Sequence, residues 1–261
     1  MSKARMMFDM TVQEIQEGMK ETQTVLVPVG IVEQHGYHLP VSVDIHNAEQ
    51  ITKMASELSG CFVTPALTYC FSGGTLPGTI NLSPQVFSLA LMDIIRSLIT
   101  QGFKNIAIVL GHGGSENTKA CYDAVDMYQR LNTGLEDITL SIVPFWKLSP
   151  TYMKSFDEGD FHAGRYETSM MLYWKPELVK LDKGQYDSPE LVARMRTDPD
   201  AYQNSYKALD SEYMIPKITV VPELTIGVMG NFDGAYAEFG KQIAEECATN
   251  LAAYVRQLDA L

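Results

Sequence analysis

Two short apolar runs organise the chain. Residues 24–30 (TVLVPVG) and 105–110 (NIAIVL) are hydrophobic without alternation, the pattern of strands buried on both faces. Elsewhere the period changes. Ile45, Ala48, Ile51, Ala55 and Leu58 recur at helical spacing over 45–59, and Gly60 ends that run. Ser83-Pro84 opens a second helix over 84–100, with proline at its first position and Gly102 closing it. Further helices are expected at 115–131, 165–174 and 235–258, and further strands at 61–67 and 138–145. Strands separated by helices need crossover connections, which predicts a mostly parallel sheet with helices on both faces. The Gly/Pro-rich stretch 72–79 reads as a long loop. The polar, Asp- and Tyr-rich segment 181–216 reads equally as a surface excursion, a lid or an oligomer contact. No repeat, low-complexity stretch or domain boundary interrupts the pattern, so residues 1–261 read as a single α/β domain.

The two apolar runs lead directly into side chains that bind metals. Glu33-Gln34-His35 follows the first, and Asp44 lies nine residues beyond His35. The second opens onto His112-Gly113-Gly114-Ser115-Glu116. Open α/β sheets place their active sites at the C-terminal ends of their strands. On an extended segment Glu33 and His35 project to the same side. Carboxylate oxygen with imidazole nitrogen suits zinc, manganese or iron(II), and a shared Asp44 would bridge two ions. A third cluster, Asp160 to Ser169, carries His162 and Glu167 beside the expected helix start near Gly164. His162 suits a general acid and Glu167 a ligand or base; helix capping with a favourable dipole contact explains Glu167 equally well. His38 and His46 read as surface or supporting residues.

Charge narrows the partners. Lys and Arg number 20 against 32 Asp and Glu, a formal net charge of −12, which argues against nucleic acid and against an anionic membrane surface. The four cysteines form no C-x-x-C pair, the opening MSKARMMFDM lacks an apolar signal region, and no apolar stretch is long enough to span a bilayer. The expectation is a cytoplasmic protein with free, buried thiols. No G-x-G-x-x-G or G-x-x-x-x-G-K-[ST] loop is present, and no G-x-S-x-G elbow, which disfavours a nucleotide-binding protein and a serine hydrolase.

Five pieces match one family in order: PVGIVEQHGYHLPVSVD (28–44), LPGTINLS (76–83), GHGGSEN (111–117), HAGRYETSMML (162–172) and GVMGNFDGAYAEFGKQ (227–242). On these the chain resembles the creatininase (creatinine amidohydrolase) family. The resemblance implies a three-layer α/β/α sandwich with two divalent metal ions per subunit, zinc first, with manganese or iron as alternatives. It places Glu33, His35, Asp44 and His112 at ligand positions, with Asp44 bridging. Glu167 or its rival Glu116 completes the set. His162 matches the histidine that passes protons to the leaving nitrogen. Members cleave C–N bonds of small cyclic or formyl amides and form homo-oligomers, hexamers among them. The chain departs from creatininase itself: that enzyme has His-Tyr-Glu-Asn where this chain has His112 to Asn117, one residue longer. Its substrate-covering Trp position is Glu158 here, with Trp146 or Tyr152 as possible substitutes. The resemblance thus implies a relative with another small-molecule substrate; the alternative is the same metal site acting on a non-amide bond, as in ring opening of a cyclic ketone, or on a small peptide.

The expected chemistry is attack by a metal-bridging hydroxide on a polarised carbonyl. Backbone N–H groups near Gly113-Gly114 would stabilise the charge on the carbonyl oxygen, and His162 or Glu116 would protonate the leaving nitrogen. Gly113, Gly114, Ser115 and Thr79 are the candidate substrate contacts.

Overall fold

The computed structural model describes residues 3–261. Strands β1 (Arg5–Met6), β2 (Thr24–Val29), β3 (Phe62–Val63), β4 (Asn105–Leu110) and β5 (Thr139–Pro144) form one sheet in the order β1-β3-β2-β4-β5, every pair parallel. The helices are α1 (Val12–Gly18), α2 (Val43–Ser59), α3 (Pro84–Gln101), α4 (Ser115–Leu131), α5 (Lys154–Glu158), α6 (Arg165–Trp174), α7 (Pro189–Thr197) and α8 (Ala237–Leu258). A separate antiparallel hairpin pairs β6 (Gln203–Tyr206) with β7 (Lys217–Val220). Among the described residues no helix is long and apolar enough to cross a membrane.

The lack of alternation in β2 and β4 follows from the layers on either side. Successive strand residues point to opposite faces. Val25, Val27, Ile106 and Ile108 pack with Phe87, Leu91 and Ile95 of α3 and Ala124 of α4. Leu26, Ala107 and Val109 pack with Ile51 of α2, Met170 of α6 and Leu251 of α8. Each such aliphatic side chain, fully buried, contributes about 1.5–3 kcal/mol. The result is the α/β/α sandwich with a parallel central sheet. All four cysteines are buried and free.

One expectation needs correction. Residues 61–67 do not form one strand: β3 spans only Phe62–Val63. Pro65 has no N–H to donate to a ladder. Contact with β2 resumes through Leu67, whose N–H donates to Pro28 O (2.9 Å) and whose carbonyl accepts from Gly30 N (2.9 Å). The polar segment 181–216, open between excursion, lid and oligomer contact in the sequence, has regular structure of its own. It holds α7 and β6, and Leu191 and Met195 of α7 pack with Val221 in a small core of their own.

The first turn of α2 lies directly against the ends of β2 and β4, and two glycines make this possible. A Cβ at Gly111 would fall 2.1 Å from the Asp44 carbonyl oxygen, and one at Gly30 would fall 2.7 Å from the Ile45 backbone. Neither neighbour is a flexible side chain, so the helix itself would have to move. Gly111→Ala is therefore expected to destabilise the protein by about 1–3 kcal/mol, the range for overpacking a filled core. Urea unfolding of the two proteins measures it, and an unchanged midpoint would show that α2 shifts freely.

Candidate metal centre

The strand ends and the start of α2 converge on a buried cluster of acids and imidazoles. Asp44, in the first turn of α2, sits between two histidines. Its Oδ2 accepts a hydrogen bond from His112 Nδ1 at 3.1 Å, and its Oδ1 lies 3.4 Å from His35 Nε2. On one side His112 Nδ1 is 3.2 Å from Glu33 Oε2. On the other, His35 Nε2 is 3.7 Å from Glu167 Oε2. Two donor sets thus share Asp44: Glu33, Asp44 and His112, and His35, Asp44 and Glu167. All five side chains are buried.

Local hydrogen bonds aim these donors. His35 Nδ1 donates to the Glu33 carbonyl at 3.0 Å, which leaves Nε2 facing Asp44 and Glu167, free to ligate once its proton is displaced. An outer N–H anchored in this way is the usual support of a ligating histidine. Glu167 lies in the first turn of α6, and its Oε2 also accepts from Ala163 N at 2.6 Å. The capping role and the ligand geometry therefore belong to the same carboxylate. Ala163 has a positive φ of 55°, a conformation costly for a residue with a Cβ. His38 braces it: its Nε2 is 3.1 Å from both the Ala163 carbonyl and Thr168 Oγ1, and its ring packs 4.1 Å from Phe232. His38 is fully buried, so the surface reading of that residue is corrected.

Electrostatics describe a site built for cations. At Glu33, His35, Asp44 and His112 burial disfavours the charge, yet mutual attraction wins. Against burial, Asp44, Glu167 and Glu33 push the His35 pKa up to about 10. Against burial, Glu33 and Asp44 hold His112 well above its ordinary value. Glu33 and Asp44 are lowered by the same histidines despite their burial. Without metal the site therefore stores protons on His35 and His112. Even so, Glu33 Oε2 and His35 Nε2, which face the two sets, lack a hydrogen-bond partner. An unsatisfied buried polar atom costs about 1–3 kcal/mol. Divalent cations satisfy the atoms in each set, and the N/O donors suit zinc, manganese or iron(II). The residues present fit a buried binuclear centre for two divalent ions.

That fit carries a proton count. Ligation needs neutral imidazole, so metal entry must displace the protons on His35 and His112. Calorimetric titration of metal-free protein at pH 7, in buffers of different ionisation enthalpy, is expected to show release of about two protons per filled site. Affinity should rise with pH until it passes the His35 value of about 10. No proton release would mean that the imidazoles are neutral without metal.

His162 approaches the cluster differently. Its ring lies 4.2 Å from that of His35, and it offers a donor atom to a possible third grouping with Glu33 and His35. Its Nε2 is engaged, however, at 2.8 Å from the Gln34 carbonyl. Burial and the nearby His35 lower its pKa, so the ring is neutral with Nε2–H donating and Nδ1 unprotonated. Gln34 Oε1 also accepts from Gly36 N, and the Gln34 backbone N–H donates to Thr79 Oγ1 at 3.2 Å.

A cavity of about 330 Å³ opens over the cluster. Gly113, Gly114 and Ser115 line it, as do Trp146, Tyr152 and His162. Thr79 lines instead an adjoining space of about 50 Å³ beside Gln34 and Leu76. Glu116 lies at the cavity rim, exposed and bonded to Ser115 Oγ, away from the two donor sets.

Three further residues had no role in the sequence reading. Tyr202, from the 181–216 segment, lines both spaces. Asp160 is pushed up to about 7 by burial, against backbone donation from Arg165 and Tyr166. It fills the space a Cβ would need at Gly164 or Gly230, and its Oδ2 accepts from Arg165 N at the start of α6. Asp187 accepts from the N–H groups of Thr225, Ile226 and Gly227, fixing the loop that leads to Met229. Met229 in turn pairs with His162 through the backbone. The glycines around Asp160 were the one available signal; nothing in the spacing pointed to Tyr202 or Asp187.

A parallel α/β/α sandwich with two carboxylate–imidazole sets at its strand ends defines a metal-dependent hydrolase. Comparison with known proteins narrows the class. The family described as Creatininase: Creatinine amidohydrolase matches residues 8–255, and the chain belongs to that family. It is 27% identical over 275 residues to the creatinine amidohydrolase of Pseudomonas putida, covering 98% of each chain. It is 31% identical over 185 residues to a mycofactocin precursor peptide peptidase of Mycolicibacterium smegmatis, covering 66% of this chain and 68% of that one. A crystal structure of creatinine amidohydrolase shares the fold with a TM-score of 0.80 at 24% identity, over 100% of both chains.

Proposed function

We propose that residues 1–261 act as one hydrolase unit that cleaves a C–N bond of a small polar substrate: a cyclic amide, a lactam or a formamide. The observation that carries this reading is Asp44 placed between His35 and His112, at 3.4 and 3.1 Å. In this reading Glu33, His35, Asp44, His112 and Glu167 hold two divalent ions, zinc first. Bound ions polarise the substrate carbonyl and lower the pKa of water toward neutrality.

The chain's own residues do the rest. His35 is held in its ligating tautomer by the Glu33 carbonyl, and Glu167 is held by Ala163 N. Gly113 and Gly114 bring backbone to the cavity wall with no side chain in the way. His162, neutral and lining the cavity, is the group that takes a proton from the attacking water at its bare Nδ1 and passes it to the departing nitrogen, because an amine leaves poorly as an anion. Trp146 and Tyr152 supply aromatic wall where Glu158 cannot. The reading extends to a cytoplasmic homo-oligomer, as the family resemblance implies.

The relative that is a peptide peptidase supports a second reading, a small peptide as substrate. A panel separates the two. Metal-loaded protein is incubated with cyclic amides, lactams and formamides, with cyclic ketones, and with dipeptides. Turnover confined to the first group is expected. Turnover confined to the ketones or dipeptides would refute the proposed bond class.

A further inference from the structure

The cavity above the metal centre carries a charge pattern that the hydrolytic site does not require. No lysine or arginine lines either the large cavity or the small one beside it, among the described residues. Nothing except the metal centre can therefore pair with a substrate carboxylate or phosphate. The inner acids, Glu33, Asp44 and Glu167, are matched by two divalent ions. The outer acids are not matched. Glu116, in the first turn of α4, and Asp200, just before β6, are exposed residues of the cavity lining. Neither pairs with a lysine or arginine among the described residues; Ser115 Oγ donates to Glu116 Oε2 at 2.9 Å.

Aromatic rings form the wall between this rim and the metals. Trp146 lies over the Gly113 backbone, its six-membered ring within 4.0 Å of where a Cβ would stand. Phe156, Phe161 and Tyr202 line the same cavity. Tyr202, Glu116 and Asp200 line one cavity, so the ring and both acids face the same space; burial raises the Tyr202 hydroxyl's pKa, Gln203 lowers it, and Glu116, Asp200 and Glu33 add to the rise. Aromatic faces with unpaired carboxylates nearby attract organic cations and repel anions. Buried Glu33, which belongs to the metal centre, also lines this space, so the rim and the reacting centre belong to one site.

We infer that the substrate carries a cationic nitrogen group at the end remote from the bond that is cleaved, seated between the Trp146–Tyr202 wall and the Glu116–Asp200 rim. This inference rests on the cavity being the substrate site of the hydrolase. It assigns Asp200 and Tyr202, and with them the 181–216 segment, to substrate selection. A neutral substrate of the same shape would bind less well, and one with a carboxylate at that end worst.

Three phenylformamides of one shape test it, carrying trimethylammonium, tert-butyl or carboxylate at the para position. Binding to the metal-loaded protein is measured by calorimetry at low salt, and hydrolysis is followed separately. The trimethylammonium compound is expected to bind about tenfold tighter than its tert-butyl isostere, as for a partly desolvated cation on aromatic faces beside acids. The carboxylate should bind weakest, and 0.5 M salt should shrink the differences. Asp200→Asn with Glu116→Gln should bring the cation-to-neutral ratio close to one. Equal binding of the three, tightest binding of the carboxylate, no binding of any, or an unchanged ratio in the double variant would each overturn the inference. Hydrolysis reports on the bond class independently: tight cation binding without cleavage would leave the charge preference standing and count against the formamide reading.

Discussion

Asp44→Asn is expected to reduce turnover by more than about 10³-fold, at least the scale of removing a main electrostatic stabiliser. Asparagine keeps the size of the side chain but loses the charge shared by both donor sets. His35 and His112 then face each other across a neutral amide, with only Glu167 and Glu33 left to balance them. Both ions should be weakened together, because Asp44 is the one residue in the two sets. Activity and metal content should therefore fall in parallel. Loss of a single equivalent would mean that Asp44 serves one ion and that the other is held elsewhere. The fold should survive, since α2 is anchored by Ile51 and Ala55 in the core, well beyond its first turn.

His162→Ala should separate chemistry from metal binding. The ring's Nε2 is taken by the Gln34 carbonyl, and its neutral form suits proton transfer at neutral pH. A loss of about 10²–10⁴ in kcat is expected, the range for removing a general acid–base group. Metal content should stay at the wild-type value. A formamide or lactam with a better leaving nitrogen should recover much of the rate, because it needs less help from a proton donor. If the variant loses metal instead, His162 is a ligand with Glu33 and His35, and the proton must come from another residue. Glu116 is the first to test, being exposed at the cavity rim.

The sheet was legible because β2 and β4 are buried on both faces, which turns them into unbroken apolar runs. The helices were legible from their period, and α2 and α3 also from Gly60 and Gly102 at their ends. Four of the five clustered donors were legible for a related reason: Glu33, His35 and His112 follow strands directly, and Asp44 opens the next helix. Glu167 could not be separated from Glu116 by spacing. Their difference depends on how α6 packs on α8, where Gly240 lies so close to the Ser169 carbonyl that a Cβ would stand 2.0 Å from it. That contact joins residues far apart in the chain. Tyr202 was hidden for the opposite reason. It sits in a polar segment with little periodicity, whose order comes from a hairpin and the small core around Met195. Short β3 was overread because Pro65 interrupts an otherwise strand-like run.

Metal content per subunit, measured by plasma mass spectrometry on protein purified without chelator or nickel, tests the central claim most directly. The account predicts about two equivalents of zinc, manganese or iron in the wild type. It predicts about one in His35→Ala, since His35 belongs to one set and Glu33, Asp44 and His112 remain for the other. No bound metal in the wild type, even after incubation with each ion, would contradict it, as would a His35→Ala protein that keeps both equivalents.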